Sequence, residues 1–136
     1  MSKLYINLPV TDLVKSVNFY KSLGFEQNMQ FSNDQAAAMS YHDDFSLMLL
    51  SHDFISGFLP THKTISDSHK TTEVLNALEV DSREAVDIFY NNAIQAGGKK
   101  TIDSHDHGFM YGRDFEDLDG HIWEVFWMDV SQMPKE

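Results

Sequence analysis

The sequence has no cysteine among its 136 residues. That excludes a disulfide scaffold, a thiolate zinc site and a cysteine nucleophile. It also fits a reducing compartment, so a cytoplasmic location is expected. Cations are scarce: 10 Lys and Arg stand against 21 Asp and Glu, for a net charge of −11. A field of that sign repels phosphate backbones and anionic lipid heads, so neither nucleic acid nor a membrane is expected as a partner. Apolar runs stay far below the roughly 20 residues a membrane helix needs. Met1-Ser2-Lys3 leads directly into strand-like sequence, so no signal peptide is read. What is abundant is apolar and aromatic: 42% hydrophobic residues, with 10 Phe, 5 Tyr and 2 Trp. A core can therefore be buried, and the length suits one compact domain rather than two independent ones.

Leu4, Ile6, Leu8 and Val10 alternate with Tyr5, Asn7 and Pro9. Period two predicts a half-buried strand. Thr11-Asp12 offers a helix N-cap, and Leu13, Val17, Tyr20 and Leu23 follow at helical spacing up to Gly24. A weak strand is expected over 25–31. A hairpin is expected over 36–41 and 45–50 around His42-Asp43-Asp44. From His52 to Lys70 the pattern is lost, which predicts a long loop with one short helix over 53–58. A strand then returns over 74–80. Ser82 caps a helix carrying Val86, Phe89, Tyr90, Ala93 and Ile94 as one continuous apolar stripe, closed by Gly97-Gly98. A short strand is expected over 99–102, a solvated polar turn over 103–108, and a closing hairpin over 109–115 and 121–127 around Asp117-Leu118-Asp119-Gly120.

A shift of 70 residues lays Leu8 on Leu78, Val10 on Val80, Phe19 on Phe89, Tyr20 on Tyr90 and the cap Asp12 on the cap Ser82. Each half reads strand, helix, strand, strand, strand, an internal repeat. The fold class is α+β, built from two βαβββ modules. Module one covers 1–52, a linker loop 53–71, module two 72–130 and a C-terminal tail 131–136.

Two segments carry a family likeness. One is Leu8-Pro9-Val10-Thr11-Asp12-Leu13 through Phe19-Tyr20 to Leu23-Gly24-Phe25. The other is Gly108-Phe109-Met110-Tyr111-Gly112-Arg113-Asp114-Phe115 followed by Asp117-Leu118-Asp119-Gly120-His121-Ile122-Trp123-Glu124-Val125. They resemble the vicinal oxygen chelate superfamily, which includes glyoxalase I, extradiol dioxygenases and bleomycin-resistance proteins. The resemblance implies a single glyoxalase-like domain over 1–136, with curved sheets around a central cavity and helices outside. On the first strand Leu4, Ile6, Leu8 and Val10 would face the helices and Tyr5, Asn7 and Pro9 the cavity.

Metal-dependent members of that family hold one divalent ion with four side chains, one per cavity strand. Carried onto this sequence, the positions are Tyr5, Met48, Leu75 and Glu124. Leucine cannot ligate, thioether sulfur suits hard ions poorly, and tyrosine ligates only when deprotonated. No family metal is therefore expected, and if an ion is held, Glu124 is the residue that carries over. His105-x-His107 with Asp103 and Asp106 has the spacing of a chelating pair on a strand, but its context reads as the solvated turn.

The closing hairpin sets which group faces Glu124. A three-residue turn with Gly120 left-handed puts Asp114 opposite; a two-residue turn puts Arg113 there. The first makes Asp114 and Glu124 a carboxylate pair able to act as a general base or to bind a cationic group; the second makes an ion pair. Tyr5, Asn7, Met48, Leu50, Leu75, Ile122 and Phe126 are the expected ligand-binding lining. The leading reading is a glyoxalase/bleomycin-resistance-like protein that binds a small, largely apolar molecule without the family metal. The alternative is a metal-dependent lyase, isomerase or dioxygenase using Glu124 with other ligands, with Glu124 and Asp114 catalytic. The resemblance implies a homodimer, and the apolar 54–59 segment, Phe-Ile-Ser-Gly-Phe-Leu, is expected to cap the cavity or pack on the partner.

Overall fold

The computed structural model describes residues Ser2–Pro134; Met1 and the tail residues Lys135 and Glu136 lie outside them. The chain forms two compact units, one up to Thr71 and the other from Thr72. Among the described residues no helix is long and apolar enough to cross a membrane.

The first unit runs β1 (Leu4–Val10), α1 (Leu13–Ser22), β2 (Glu26–Asn28), β3 (Ala36–His42), β4 (Phe45–Ser51) and α2 (His52–Ser56). The sheet order is β1-β4-β3-β2, with β1 parallel to β4 and the other pairs antiparallel. The Asp12 carboxylate accepts the Lys15 amide at 3.1 Å and starts α1. Phe19 and Tyr20 of α1 pack on the sheet face that buries Leu8, Val10, Met39, Leu47 and Leu49. Leu4, expected on that buried face, lies at the strand's free end and is exposed. The 25–31 strand is shorter than expected. Asn28 accepts the Gln30 amide and turns 29–31 into a single 3₁₀ turn. The short helix begins at His52, one residue earlier than expected, because Ser51 caps it through the Phe54 amide.

The second unit repeats the order: β5 (Leu75–Glu79), α3 (Arg83–Gln95), β6 (Lys99–Lys100), β7 (His105–Asp106), β8 (Met110–Glu116) and β9 (Ile122–Met128). Its sheet is β5-β9-β8-β6, again with the first strand parallel to the last, and β7 adds on to β8. Ser82 accepts the Ala85 amide at 3.0 Å and caps α3. The helix buries Val86, Phe89, Tyr90 and Ala93 against Phe115, Trp123 and Val125. The fold is α+β, two modules of like topology. β7 corrects the expectation of a solvated turn over 103–108: His105 pairs with Gly112 and Asp106 with Tyr111.

Phe115 has no exposed surface, and its ring centroid lies 6.0 Å from Phe89 and 6.5 Å from Tyr90. Truncating such a ring loses its transfer energy and leaves a cavity. Phe115→Ala should cost about 3–5 kcal/mol in urea unfolding; a loss under about 1 kcal/mol would mean that the α3–sheet contact is not the core of this unit.

Candidate functional site

The register of the closing hairpin builds the site. Asp117 Oδ1 accepts the amides of Asp119 and His121, both at 2.9 Å, and Gly120 adopts φ +88°. That left-handed position is open to glycine at little cost. The turn therefore pairs Asp114 with Glu124 and Arg113 with Val125, which resolves the alternative left by the sequence.

Strand alternation then sorts β8 and β9 into two faces. Tyr111, Arg113, Phe115, Trp123, Val125 and Trp127 share the α3 face. There Tyr111 Oη donates to Asp87 at 2.6 Å, Arg113 reaches the same carboxylate at 3.2 Å, and the Arg113 guanidinium lies 3.7 Å over the Tyr90 ring. Partial burial, reinforced by Asp87, raises the Tyr111 hydroxyl above its ordinary pKa. Gly112, Asp114, Ile122, Glu124 and Phe126 share the opposite face.

His105 joins that opposite face from β7. Its Nε2 lies 3.1 Å from Asp114 Oδ1 and 3.9 Å from Glu124 Oε2. The Asp114 side chain is 8% exposed. Two features place the imidazole. A Cβ at Gly112 would meet the His105 ring at 2.5 Å, so glycine there lets the ring lie on the strand. On the other face of β7, Arg83 from the first turn of α3 grips Asp106 with two bonds of 2.8 and 2.7 Å and the Gly108 carbonyl at 3.0 Å. Its guanidinium lies 5.1 Å from the Tyr111 ring centroid and 5.3 Å from that of Trp127. Sequence reasoning singled out His105 with His107 as a chelating pair but set both in a solvated turn, and did not join His105 to Asp114 and Glu124. The signal for that placement was Gly112, a glycine in the middle of a strand, which marks a close approach. His107, two residues on, is not part of the cluster.

The first unit presents its own open face. Asn7, Met48, Leu50, Phe54, Ile55, Phe58 and Leu59 line a cavity of about 360 Å³. Met48 also borders a second, more polar cavity of about 500 Å³ with Lys3, Tyr5, Asn28, Gln30, Asn33 and Ser46 among its walls. Of the expected lining, Tyr5, Asn7, Met48 and Leu50 thus meet in the first unit, while Leu75, Ile122 and Phe126 lie in the second. Leu75 and Tyr5 are 59% and 52% exposed.

The four positions of the family's ion site do not suit an ion. Met48 pairs beside Asn7 as Glu124 pairs beside Ala77, so the two occupy matching places in their sheets. One offers a thioether and the other a carboxylate, while Leu75 offers no donor.

Arg83 and the Gly108 amide hold the Asp106 carboxyl far below the usual carboxylate range. A folded-state pKa below the unfolded value contributes stability that is full above about pH 4 and lost as pH falls through the folded value. Asp106→Asn should therefore be less stable than wild type at pH 7 and lose less on acidification from about pH 5 to 2 in urea unfolding. Parallel pH curves for the two proteins would remove the clamp from this account.

Residues 4–125 match the model of the Glyoxalase/Bleomycin resistance protein/Dioxygenase superfamily. No curated protein matches the chain. Among solved structures, a hypothetical protein from S. aureus is 27% identical, with a TM-score of 0.77 over 93% of this chain and 94% of that one. A glyoxalase/bleomycin resistance protein/dioxygenase family enzyme from Burkholderia phytofirmans PsJN is 18% identical, with a TM-score of 0.79 over 95% and 100%. The fosfomycin resistance protein FosX from Mesorhizobium loti is 10% identical, with a TM-score of 0.68 over 95% and 93%. With a family match over nearly the whole sequence and the repeated β-α-β-β-β order in both units, the chain belongs to the glyoxalase/bleomycin resistance/dioxygenase superfamily.

Proposed function

We propose that this protein binds a small, largely apolar molecule on the open face of its first sheet, without the ion that the family holds between all four of its positions. The observation that carries the reading is the cavity over Asn7, Met48 and Leu50, roofed by Phe54, Ile55, Phe58 and Leu59. Its size lies within the usual range for ligand sites, about 300–1,000 Å³, and one carboxamide in an apolar wall is the usual means of orienting a ligand. The polar cavity that shares Met48 favours a molecule with one apolar and one polar end. Lys3 is the charged group on that wall, so the polar end is neutral or anionic there. A cationic end has no carboxylate to meet on either wall. The reading includes pairing with a second copy, as family membership suggests.

Phe58 is 68% exposed at the rim, with its ring 5.3 Å from that of Phe54. An exposed rim aromatic has no burial to satisfy in the empty protein and gains it when a ligand arrives. Wild type should bind the apolar anionic dye anilinonaphthalene sulfonate saturably, with unchanged circular dichroism. Phe58→Asp should weaken that binding about tenfold, or about 1.4 kcal/mol, with light scattering still near twice 15.6 kDa. Undiminished dye binding in a variant that has become monomeric would instead assign this segment to the partner interface and overturn the pocket.

A further inference from the structure

His105, Asp114 and Glu124 bring one imidazole nitrogen and two carboxylate oxygens within 4.8 Å of one another. This group lies wholly in the second unit and takes only Glu124 from the positions that the family uses. We propose that these three side chains bind one first-row divalent cation of the zinc, manganese or iron(II) class, at a site displaced from the family's own. The inference is independent of the ligand pocket, which lies in the other unit.

Charge is the first reason. Asp114 and Glu124 stand directly opposite each other on one face of adjacent strands, an arrangement that is destabilising for like charges. Asp114 is almost wholly withdrawn from solvent, so water screens it poorly. A neutral imidazole and a divalent ion balance the two carboxylates. A protonated imidazole balances one of them.

Distance is the second reason. Ligand atoms about 2.0–2.2 Å from an ion lie about 3 to 4.3 Å from one another. The 3.1 Å and 3.9 Å separations from His105 fall in that range, and all three ligand atoms lie within 4.8 Å of one another. Nitrogen with two carboxylate oxygens suits borderline divalent ions better than calcium or magnesium, which take oxygen alone. Three protein ligands leave positions for water or for oxygens of a ligand.

Preorganisation is the third reason. Gly112 provides the space in which the imidazole lies, and the Arg83–Asp106 clamp fixes the two-residue strand that carries it. Ala77, next to Glu124 on β5, is small and exposed, which leaves the approach open.

The test uses full-length, tag-free protein stripped of metal and titrated with cobalt(II) and zinc(II). Cobalt should give visible absorption bands at one equivalent, and calorimetry should give the same stoichiometry for zinc. Asp114→Asn and Glu124→Gln should each weaken binding at least roughly tenfold. Gly112→Ala removes no donor yet should weaken it as well by displacing the ring. His107→Ala should bind as wild type does. The apo variants are compared by circular dichroism. If Glu124→Gln fails to fold, Asp114→Asn and Gly112→Ala decide. No cobalt spectrum in folded wild type, or binding that survives Asp114→Asn and Gly112→Ala, or binding lost in His107→Ala, overturns the proposal.

Discussion

The register of the β8–β9 hairpin is the constraint on which the second unit depends. One carboxylate, Asp117, collects two backbone amides, and one glycine takes the left-handed position that lets the strands leave the turn in phase. Because side chains alternate with period two, a slip of one residue would carry Arg113 to the open face and Asp114 to the helix. In the observed register two polar systems form back to back without mixing. Arg113, Tyr111 and Asp87 tie the sheet to α3, and Asp114 and Glu124 meet His105 on the other side. Asp117 is itself buried, so breaking this turn would leave its carboxylate without the amides that compensate it.

The same frame carries different chemistry in the two units. In the first, Met48 lies between Asn7 and Ala38; in the second, Glu124 lies between Ala77 and Asp114. A thioether flanked by a carboxamide and a methyl group makes an apolar wall. A carboxylate flanked by a second carboxylate makes a charged one. Each unit then adds a short element outside the repeat on the same open side. The α2 helix roofs the apolar wall with Phe54 and Ile55, and β7 brings an imidazole to the charged one. These two additions distinguish the units more than their shared strands do.

Features that rest on local physics were legible in the sequence. Alternation gave β1, helical spacing and caps gave α1 and α3, and the fit of Gly120 to a left-handed turn position favoured the register that is found. Features that rest on distant partners were not. β7 is two residues long, too short for any periodicity, and exists because Arg83 holds Asp106 across 23 positions of sequence. The polar composition of 103–108 is what a turn would show, which outweighed the chelating spacing of His105 and His107, and the gap at Gly112 was the sign that the His105 ring lies on the sheet. The end of β2 was hidden for a similar reason: Asn28 and Asn33 bond to nearby amides and divert the chain from the sheet.

Arg83 shows how one side chain serves the fold and the site together. It sits in the first turn of α3, where the helix dipole is unfavourable to a cation. Placing it there is compensated by a bidentate carboxylate, a carbonyl and two aromatic faces. Lysine could not reproduce the fork that meets both oxygens of Asp106 while its charge lies over the rings of Tyr111 and Trp127. Because Asp106 and His105 are neighbours on a strand, their side chains leave on opposite faces. Fixing one on the helix side therefore fixes the other over Gly112. The position of the imidazole against Asp114 and Glu124 is thus determined from behind, through the sheet, and the open face is left free of supporting groups that would block a ligand.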